Sequence, residues 1–490
     1  MSMKRFALIV CCLMAAMVVA VKSAPTQKKS TMKDTNINMM VISDIHLLAP
    51  ELHDAGVAAQ HLASSDMKLV LQSDQIMSQM ADEIIAQKPQ MLLITGDLTF
   101  NGERASHERL IYHLQKLVKA GIKVLVIPGN HDINNPNARS YKGVKPQDTS
   151  TINREEFAAL YRDFGYGEGS DRDPNSLSYV CEPVSGLMLL CLDTNRDEEN
   201  RLKLRGDSVN SYHNDGRLKE STMKWMSRQL EQARTSGKRV VALMHHHLVE
   251  HIDGEALVLS NYIVSNHEQV AEALVKGGVK VVFTGHLHIT DAATMGGITD
   301  VATGSASTYP LPMRAVTIDG SLSSMNINTR FFDKLDSQLL EQGRRQVERS
   351  VDGIAAMISG KLWQRVEKMK GSRDMFATLG IDESKMPQSA QQLSVLVLKH
   401  LREPLTQSLL LVSHGGEDPS QGAAIIDAVR LGVRGMLDEV MPGQDEIAEF
   451  LMDNLMPRVE TVLRSALEDI NKVDTDEQSS TPDLSLALPL

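Results

Sequence analysis

Five short apolar runs constrain this chain more than any other feature, because each stops one to three residues before a side chain able to hold a metal ion. The runs are Met39–Ile42, Met91–Ile94, Val124–Ile127, Val240–Met244 and Val279–Phe283. Each is four or five residues long and mostly aliphatic, as buried strands are, although Lys280 interrupts the last. They lead into Asp44-Ile45-His46, Gly96-Asp97, Gly129-Asn130-His131-Asp132, His245-His246-His247 and Gly285-His286-Leu287-His288. Between them lie helical patterns. Ile76, Met80 and Ile84 recur every fourth residue, as do Leu110 and Leu114, then Met226 and Leu230. The alternation predicts an α/β domain with helices covering sheets. In such sheets ligands gather beyond the carboxyl ends of strands, so the five tips are expected to meet in one crevice.

The donors at the tips define a chemistry. Carboxylate together with imidazole suits Zn, Mn or Fe better than Ca or Cu(I). One ion takes about four to six ligands, fewer than the tips offer, so two ions sharing a carboxylate fit the inventory. Residues two apart in an extended turn point the same way, so Asp44 and His46 can grip one ion, while His286 and His288 can serve two neighbouring ones. Gly96, Gly129 and Gly285 permit sharp turns beside the ions. An Asp-x-His pair or an Asn-His-Asp triplet is common by chance. The ordered series, with each member at a strand tip, is not.

Taken in order, Asp44-x-His46, Gly96-Asp97, Gly129-Asn130-His131-Asp132, His245 and Gly285-His286-x-His288 resemble the signature blocks of the calcineurin-like metallophosphoesterase superfamily, over roughly residues 37–320. The resemblance implies an α/β fold, a four-layer αββα sandwich of two mixed β-sheets flanked by helices. It implies that Asp44, His46 and His288 hold a first metal, that Asp97 bridges, and that Asn130, His245 and His286 hold a second. His246 is the alternative to His245, which fits the family's His-x-x-Leu spacing better. Two transition-metal ions (Mn, Fe or Zn) are implied, about 3.5–4 Å apart, with a metal-bridging hydroxide as nucleophile. His131 diverges from its neighbour Asn130 and is expected to be the general acid. Asp132 either orients it or caps the following turn. Arg139, Tyr309 and Arg314 are candidate substrate contacts. His107 and His113 are read as solvent-facing.

Departures from better-known branches narrow the reading. Phe100 and Asn101-Gly102 stand where Ser/Thr protein phosphatases carry an acidic residue and Arg-Gly, and Phe100 stands where purple acid phosphatases carry a tyrosine ligand. Both branches usually have Glu at the position of Asp132. Gly96-Asp97-Leu98-Thr99-x-x-Gly102 is closer to bacterial cyclic-nucleotide-type phosphodiesterases. The expected function is an exported dinuclear phosphoesterase acting on a small phosphorylated substrate, a phosphodiesterase ahead of a phosphomonoesterase or nucleotidase. A non-catalytic metal-binding scaffold is the third reading, disfavoured because no ligand is substituted.

The remaining sequence sets the organisation. Lys4 and Arg5 precede an apolar run, Phe6–Val21, which reads as an export signal over 1–24 and implies a periplasmic or extracellular location. An uncleaved anchor is the alternative, for which the run is slightly short. A polar linker covers 25–36 and the ligand-bearing domain 37–329. Helical patterns then take over and predict an all-α C-terminal domain over 330–472, followed by a disordered tail over 473–490. The net charge of −11 argues against non-specific nucleic-acid binding. Cys181 and Cys191 flank a turn and read as small buried residues, with a bond between them as the alternative.

Overall fold

The computed structural model describes residues 35–203, 210–368, 383–415, 418–468, 471–472, 478–479 and 484–490. The segment read as an export signal, and nearly all of the linker, lie outside them. In chain order, β1 (Ile37–Ile42), β2 (Met91–Ile94) and β3 (Lys123–Val126) run parallel to one another. β4 (Arg139–Ser140) and β5 (Gln147–Asp148) form a small ribbon. A second sheet takes β6 (Ser170–Arg172), β7 (Tyr179–Val184), β8 (Leu187–Cys191), β9 (Arg239–Leu243), β10 (Val281–Thr284), β11 (Asp291–Met295) and β12 (Ile298–Ala302). β13 (Pro312–Ile318) and β14 (Ser324–Phe331) return antiparallel to the first sheet. β15 (Asn471–Lys472) and β16 (Gln478–Ser479) pair with each other, and β17 (Ser485–Pro489) pairs with β14. The orders are β17-β14-β13-β1-β2-β3 and β11-β12-β10-β9-β8-β7-β6.

The two sheets share a core, and alternate residues show why they stack. Leu189, Val241 and Phe283 join the cluster that holds Val41, Leu93 and Leu125 of the first sheet. Their neighbours Leu190, Ala242 and Val282 turn to a separate core against Trp225, Met226 and Leu274. This is the period-two geometry of strands buried on both faces. Each large apolar side chain so buried contributes roughly 1.5–3 kcal/mol. α2 (Ser73–Gln87) and α3 (Arg104–Lys119), which follow α1 (Val57–Ser65), cover the first sheet through Ile76, Met80, Leu110 and Leu114. After α4 (Arg154–Leu160), α5 (Glu220–Thr235) covers the second sheet. So does α7 (His267–Lys276), which follows the short α6 (Glu255–Val258). The four-layer arrangement is the one the resemblance implies. Cys181 and Cys191 sit on adjacent strands, buried and unbonded.

His107 and His113 are not solvent-facing. Both are buried on the inner face of α3. His107 donates from Nε2 to the Asp132 carbonyl (2.9 Å) and meets the Tyr161 hydroxyl at Nδ1 (2.9 Å), while His113 pairs with Asp74 at 2.6 Å. Buried polar groups persist where they find hydrogen-bond partners, as both ring nitrogens of His107 and Nε2 of His113 do.

Beyond β14 the chain becomes helical: α8 (Ser337–Lys368), α9 (Ala390–Ser413), α10 (Pro419–Val440) and α11 (Asp445–Leu467). Their own small core gathers Ile425, Ile426, Met456 and Leu467. The unit docks on the sandwich. Gln346 Nε2 donates to the Ala63 carbonyl (2.8 Å), the Asp253 amide donates to Ser465 Oγ (2.9 Å), and the Tyr309 and His414 rings meet edge-on at 5.3 Å. No helix among the described residues is long and apolar enough to cross a membrane. The tail reading needs correction at its end. Leu486, Leu488 and Leu490 alternate with smaller residues, and the segment closes the edge of the first sheet, with Leu486 buried. Pro489 is tolerated because β17 is an edge strand.

Candidate metal centre

The first sheet delivers Asp44, Asp97 and Asn130 from the ends of β1, β2 and β3. The second delivers His245 and His286 from the ends of β9 and β10. The crevice therefore sits on the seam between the sheets. Five of the ligand residues adopt left-handed backbone: Asp44, His46, Asp97, His286 and His288, with φ of 51°, 44°, 48°, 71° and 63°. L side chains crowd the peptide there, at about 1–3 kcal/mol each. The loops are pinned from outside by Asp44 N donating to Gly96 O (3.1 Å), His46 N to Asp97 O (2.9 Å) and Ser305 Oγ to Asp44 O (2.7 Å). Gly129 and Gly285 serve a different end from the sharp turns read in the sequence. A Cβ at Gly129 would lie 2.1 Å from Asp97 Oδ1, and one at Gly285 2.0 Å from Ser43 Oγ and 2.5 Å from Asp44 Oδ2. They make room for ligand carboxylates.

Three sets of donors converge, each within 4.8 Å: Asp44/His46/His288, His46/Asp97/His131 and Asp97/His245/His286. Asp44 Oδ1 lies 3.3 Å from His288 Nε2 and 3.8 Å from His46 Nε2. The two carboxylate oxygens of Asp97 face opposite ways, Oδ2 to His46 Nε2 (3.5 Å) and Oδ1 to His245 Nε2 (3.4 Å). This is the disposition a bridging ligand requires. Asn130 Oδ1 completes the second set, 3.0 Å from His245 Nε2. A cation fits these residues for a local reason: Asp44 Oδ1 is fully buried and has no hydrogen-bond donor, and such an oxygen is costly to leave unmatched.

Outer partners fix which atom each ligand presents. His245 Nδ1 donates to the Thr95 carbonyl (2.8 Å), leaving Nε2 for the centre. His286 Nε2 donates to the Asn261 carbonyl (3.0 Å), leaving Nδ1. The amide of Asn130 donates to the Tyr212 hydroxyl (2.5 Å), which turns Oδ1 inward. Such partners orient metal ligands and set their basicity. Burial raises the Asp97 pKa, but the imidazoles of His245, His131 and His46 outweigh it and hold the carboxyl well below its ordinary range. Burial lowers His245, and Asp97 outweighs it, raising the imidazole to about 9. A cation entering this negative field competes with that proton.

The geometry separates the histidine triplet. His246 points away, with Nδ1 on Thr194 Oγ1 (2.7 Å) and Nε2 on the Asn214 carbonyl (3.2 Å), so His245 occupies the ligand position. His247 and His251 lie behind the centre in a buried cluster with Glu255, Asp291 and Asp300. His131 donates from Nδ1 to the Phe100 carbonyl (2.6 Å), and its Nε2 faces Asp97 Oδ2 at 3.9 Å. Its side chain keeps 24% of its exposure, so it stands at the mouth.

Four of the expected site residues do other work. The Asp132 carboxylate accepts from Gly129 N (2.8 Å), Leu98 N (3.1 Å), Thr99 N (2.9 Å) and Thr99 Oγ1 (2.8 Å). It buckles two ligand loops together and does not touch the reacting region. Arg139 is tied to Asp148 (3.0 Å) and to the carbonyls of Pro136 and Ala138. Arg314 is wholly buried, donating to Thr329 Oγ1, to the Asp291 carbonyl and to the Ala302 carbonyl, which ties one sheet to the other. Tyr309 packs on His414 of the helical unit. Two contributors were missed. Tyr212 lies in a loop with no strand-tip spacing to reveal it. Lys68, paired with Asp66 at 3.2 Å, adds to burial in lowering His46 and His131, so its charge reaches the centre.

Comparison with known proteins completes the picture. A dimetal phosphatase from Danio rerio shares 16% identity, with 60% of this chain and 96% of that one aligned at a TM-score of 0.43. A sulfate thiohydrolase from Thermus thermophilus shares 13%, over 64% and 61%, at 0.32. A phosphopantetheinyl hydrolase from Mycobacterium tuberculosis shares 15%, over 55% and 90%, at 0.29. No curated protein sequence matches the chain. The family model described as calcineurin-like phosphoesterase matches residues 37–290, more than half of the chain. With every ligand block inside that span, the chain belongs to the calcineurin-like phosphoesterases and is a metal-dependent phosphoester hydrolase.

Proposed function

We propose that this hydrolase acts on phosphodiesters. The observation that carries the reading is that the basic residues named above are already paired with other groups of the chain. Lys68, which adds to burial in lowering His46 and His131, is itself paired with Asp66 at 3.2 Å. Arg139 and Arg314, which would have suited a dianionic monoester, are bound elsewhere. A diester carries a single negative charge and needs no more. The Gly96-Asp97-Leu98-Thr99-x-x-Gly102 block supports the same choice.

When bound, two ions of the Mn, Fe or Zn kind supply polarisation of the phosphoryl oxygens and activation of water. The chain's residues do the rest. Asp44, His46 and His288 hold one position, Asn130, His245 and His286 the other, and Asp97 spans both. His131, with Nδ1–H fixed on Phe100, presents Nε2 to the departing oxygen and delivers a proton to it. We further read the enzyme as exported, on the strength of Lys4, Arg5 and the run Phe6–Val21.

The test is turnover of bis-4-nitrophenyl phosphate against 4-nitrophenyl phosphate by Mn-loaded protein. Higher kcat/KM for the diester is expected, and a monoester preference would overturn the reading. His131→Gln is expected to keep both ions and lose roughly 10²–10⁴ in rate for a phenyl leaving group, but much less for 4-nitrophenyl. Equal losses would remove the general-acid role.

A further inference from the structure

A second feature opens directly beside the metal centre. Between the sandwich and the helical unit lies a cavity of about 890 Å³. It is open to solvent on one side, and its volume falls in the range of ligand pockets, roughly 300–1,000 Å³. Its walls are chiefly apolar: Leu287, Ile289 and Tyr262 on the sandwich side, Met357, Leu405 and Leu409 on the helices.

The cavity borders the ligand loop of the second sheet. Leu287 stands between His286 and His288 in the chain, and the Tyr262 ring lies 4.8 Å from the His286 ring. Asp66 and Met67 also line it, and the next residue in the chain is Lys68. At this edge the cavity meets an ion pair, Asp66 with Lys68 at 3.2 Å, while the walls beyond it are apolar. A ligand filling both halves is an amphiphile, with a phosphoester at the charged end and a hydrocarbon chain at the other.

We propose that the cavity binds the alkyl or acyl chain of the substrate, and that the substrate class is lipid phosphodiesters. This rests on the phosphodiesterase reading and gives the helical unit its role as the outer wall of the substrate site. Every methylene that leaves water for such a wall favours binding several-fold.

The experiment compares ethyl and decyl 4-nitrophenyl phosphate, both below the critical micelle concentration, with metal-loaded full-length protein. The decyl ester is expected to exceed the ethyl ester in kcat/KM by at least about tenfold, mainly through KM. Leu409→Trp, which fills the cavity, and Met357→Arg, which charges its partly exposed edge, are each expected to bring the decyl-to-ethyl ratio close to one. The ratio is taken within each variant, and a melting transition like that of the parent shows that the variant folds. Binding is read separately by displacement of a dansyl-labelled undecanoic acid by decylphosphocholine. Turnover of both esters with no chain-length preference, or an unchanged ratio in both variants, overturns the cavity assignment. Probe binding that both variants abolish, without turnover of either ester, leaves the cavity standing and overturns the phosphodiesterase reading. Failure of the probe to bind the parent protein counts against the cavity whatever the turnover.

Discussion

At the scale of single residues, the centre is governed by how closely groups approach. Gly129 is the sharpest case, because a methyl group there would overlap the bridging carboxylate. Gly129→Ala is therefore expected to displace Asp97, lower bound metal from two ions to at most one, and abolish turnover. Gly360→Ala, with open space around its added Cβ, is expected to retain both ions; elemental analysis distinguishes them. Behind the centre, His251 pairs with Asp291 and lies 3.5 Å from Asp300 Oδ2. Burial lowers its pKa, but the Asp300 and Asp291 carboxylates outweigh burial and raise it well above the ordinary value. Burial likewise raises Asp300, and His251 outweighs it, so the carboxyl is lowered. The imidazolium contribution is complete below the free histidine pKa and lost as pH rises through the elevated one. The carboxylate contribution is complete above the free aspartate pKa and lost as pH falls. The pair is thus strongest between about pH 4 and 6.5. Asp300→Asn is expected to cost about 3–5 kcal/mol there, with the gap in melting temperature narrowing toward alkaline pH. A constant gap across pH would refute the pairing.

The ligands were legible because strand tips announce themselves by the end of an apolar run. Asp44, Asp97, Asn130, His245 and His286 needed only that signal and the resemblance it led to. Tyr212 and Lys68 were not legible, since they reach the centre from loops whose path depends on packing. Arg139 and Arg314 misled for the converse reason. Charge is visible in a sequence, but the carbonyls and carboxylates that capture it are not.

At the scale of elements, the five apolar runs fell on β1, β2, β3, β9 and β10, and the every-fourth-residue patterns on α2, α3 and α5. Most of the remaining strands carried no such run. The errors came from composition overriding pattern. The Ser, Thr and Asp residues near the C-terminus concealed the alternation of Leu486, Leu488 and Leu490 that makes β17. Deleting residues 484–490 is expected to bare β14 as an unpaired edge. Loss of the buried Leu486 alone costs roughly 1.5–3 kcal/mol. Calorimetry should show a lower melting temperature and light scattering a greater tendency to associate. An unchanged transition would mean β17 contributes nothing to the sheet.

At the scale of the whole molecule, the helical unit is not an appendage at one end of the chain. It departs after β14, and β17 comes back to pair with that same strand. The sequence suggested a simple succession of domains because the return lies beyond the helices and is only a few residues long. The helical unit also packs its own small core while docking on the sandwich.

That return path bears on proteolysis. A chain cut once between Phe331 and Ser485 would still have its newly separated pieces zipped together by β14 and β17, and by the helices on either side of the cut. Such nicked protein is expected to give two bands on a denaturing gel and one unshifted peak by native size exclusion. Separation of the pieces without denaturant would show that the strand pairing cannot hold them.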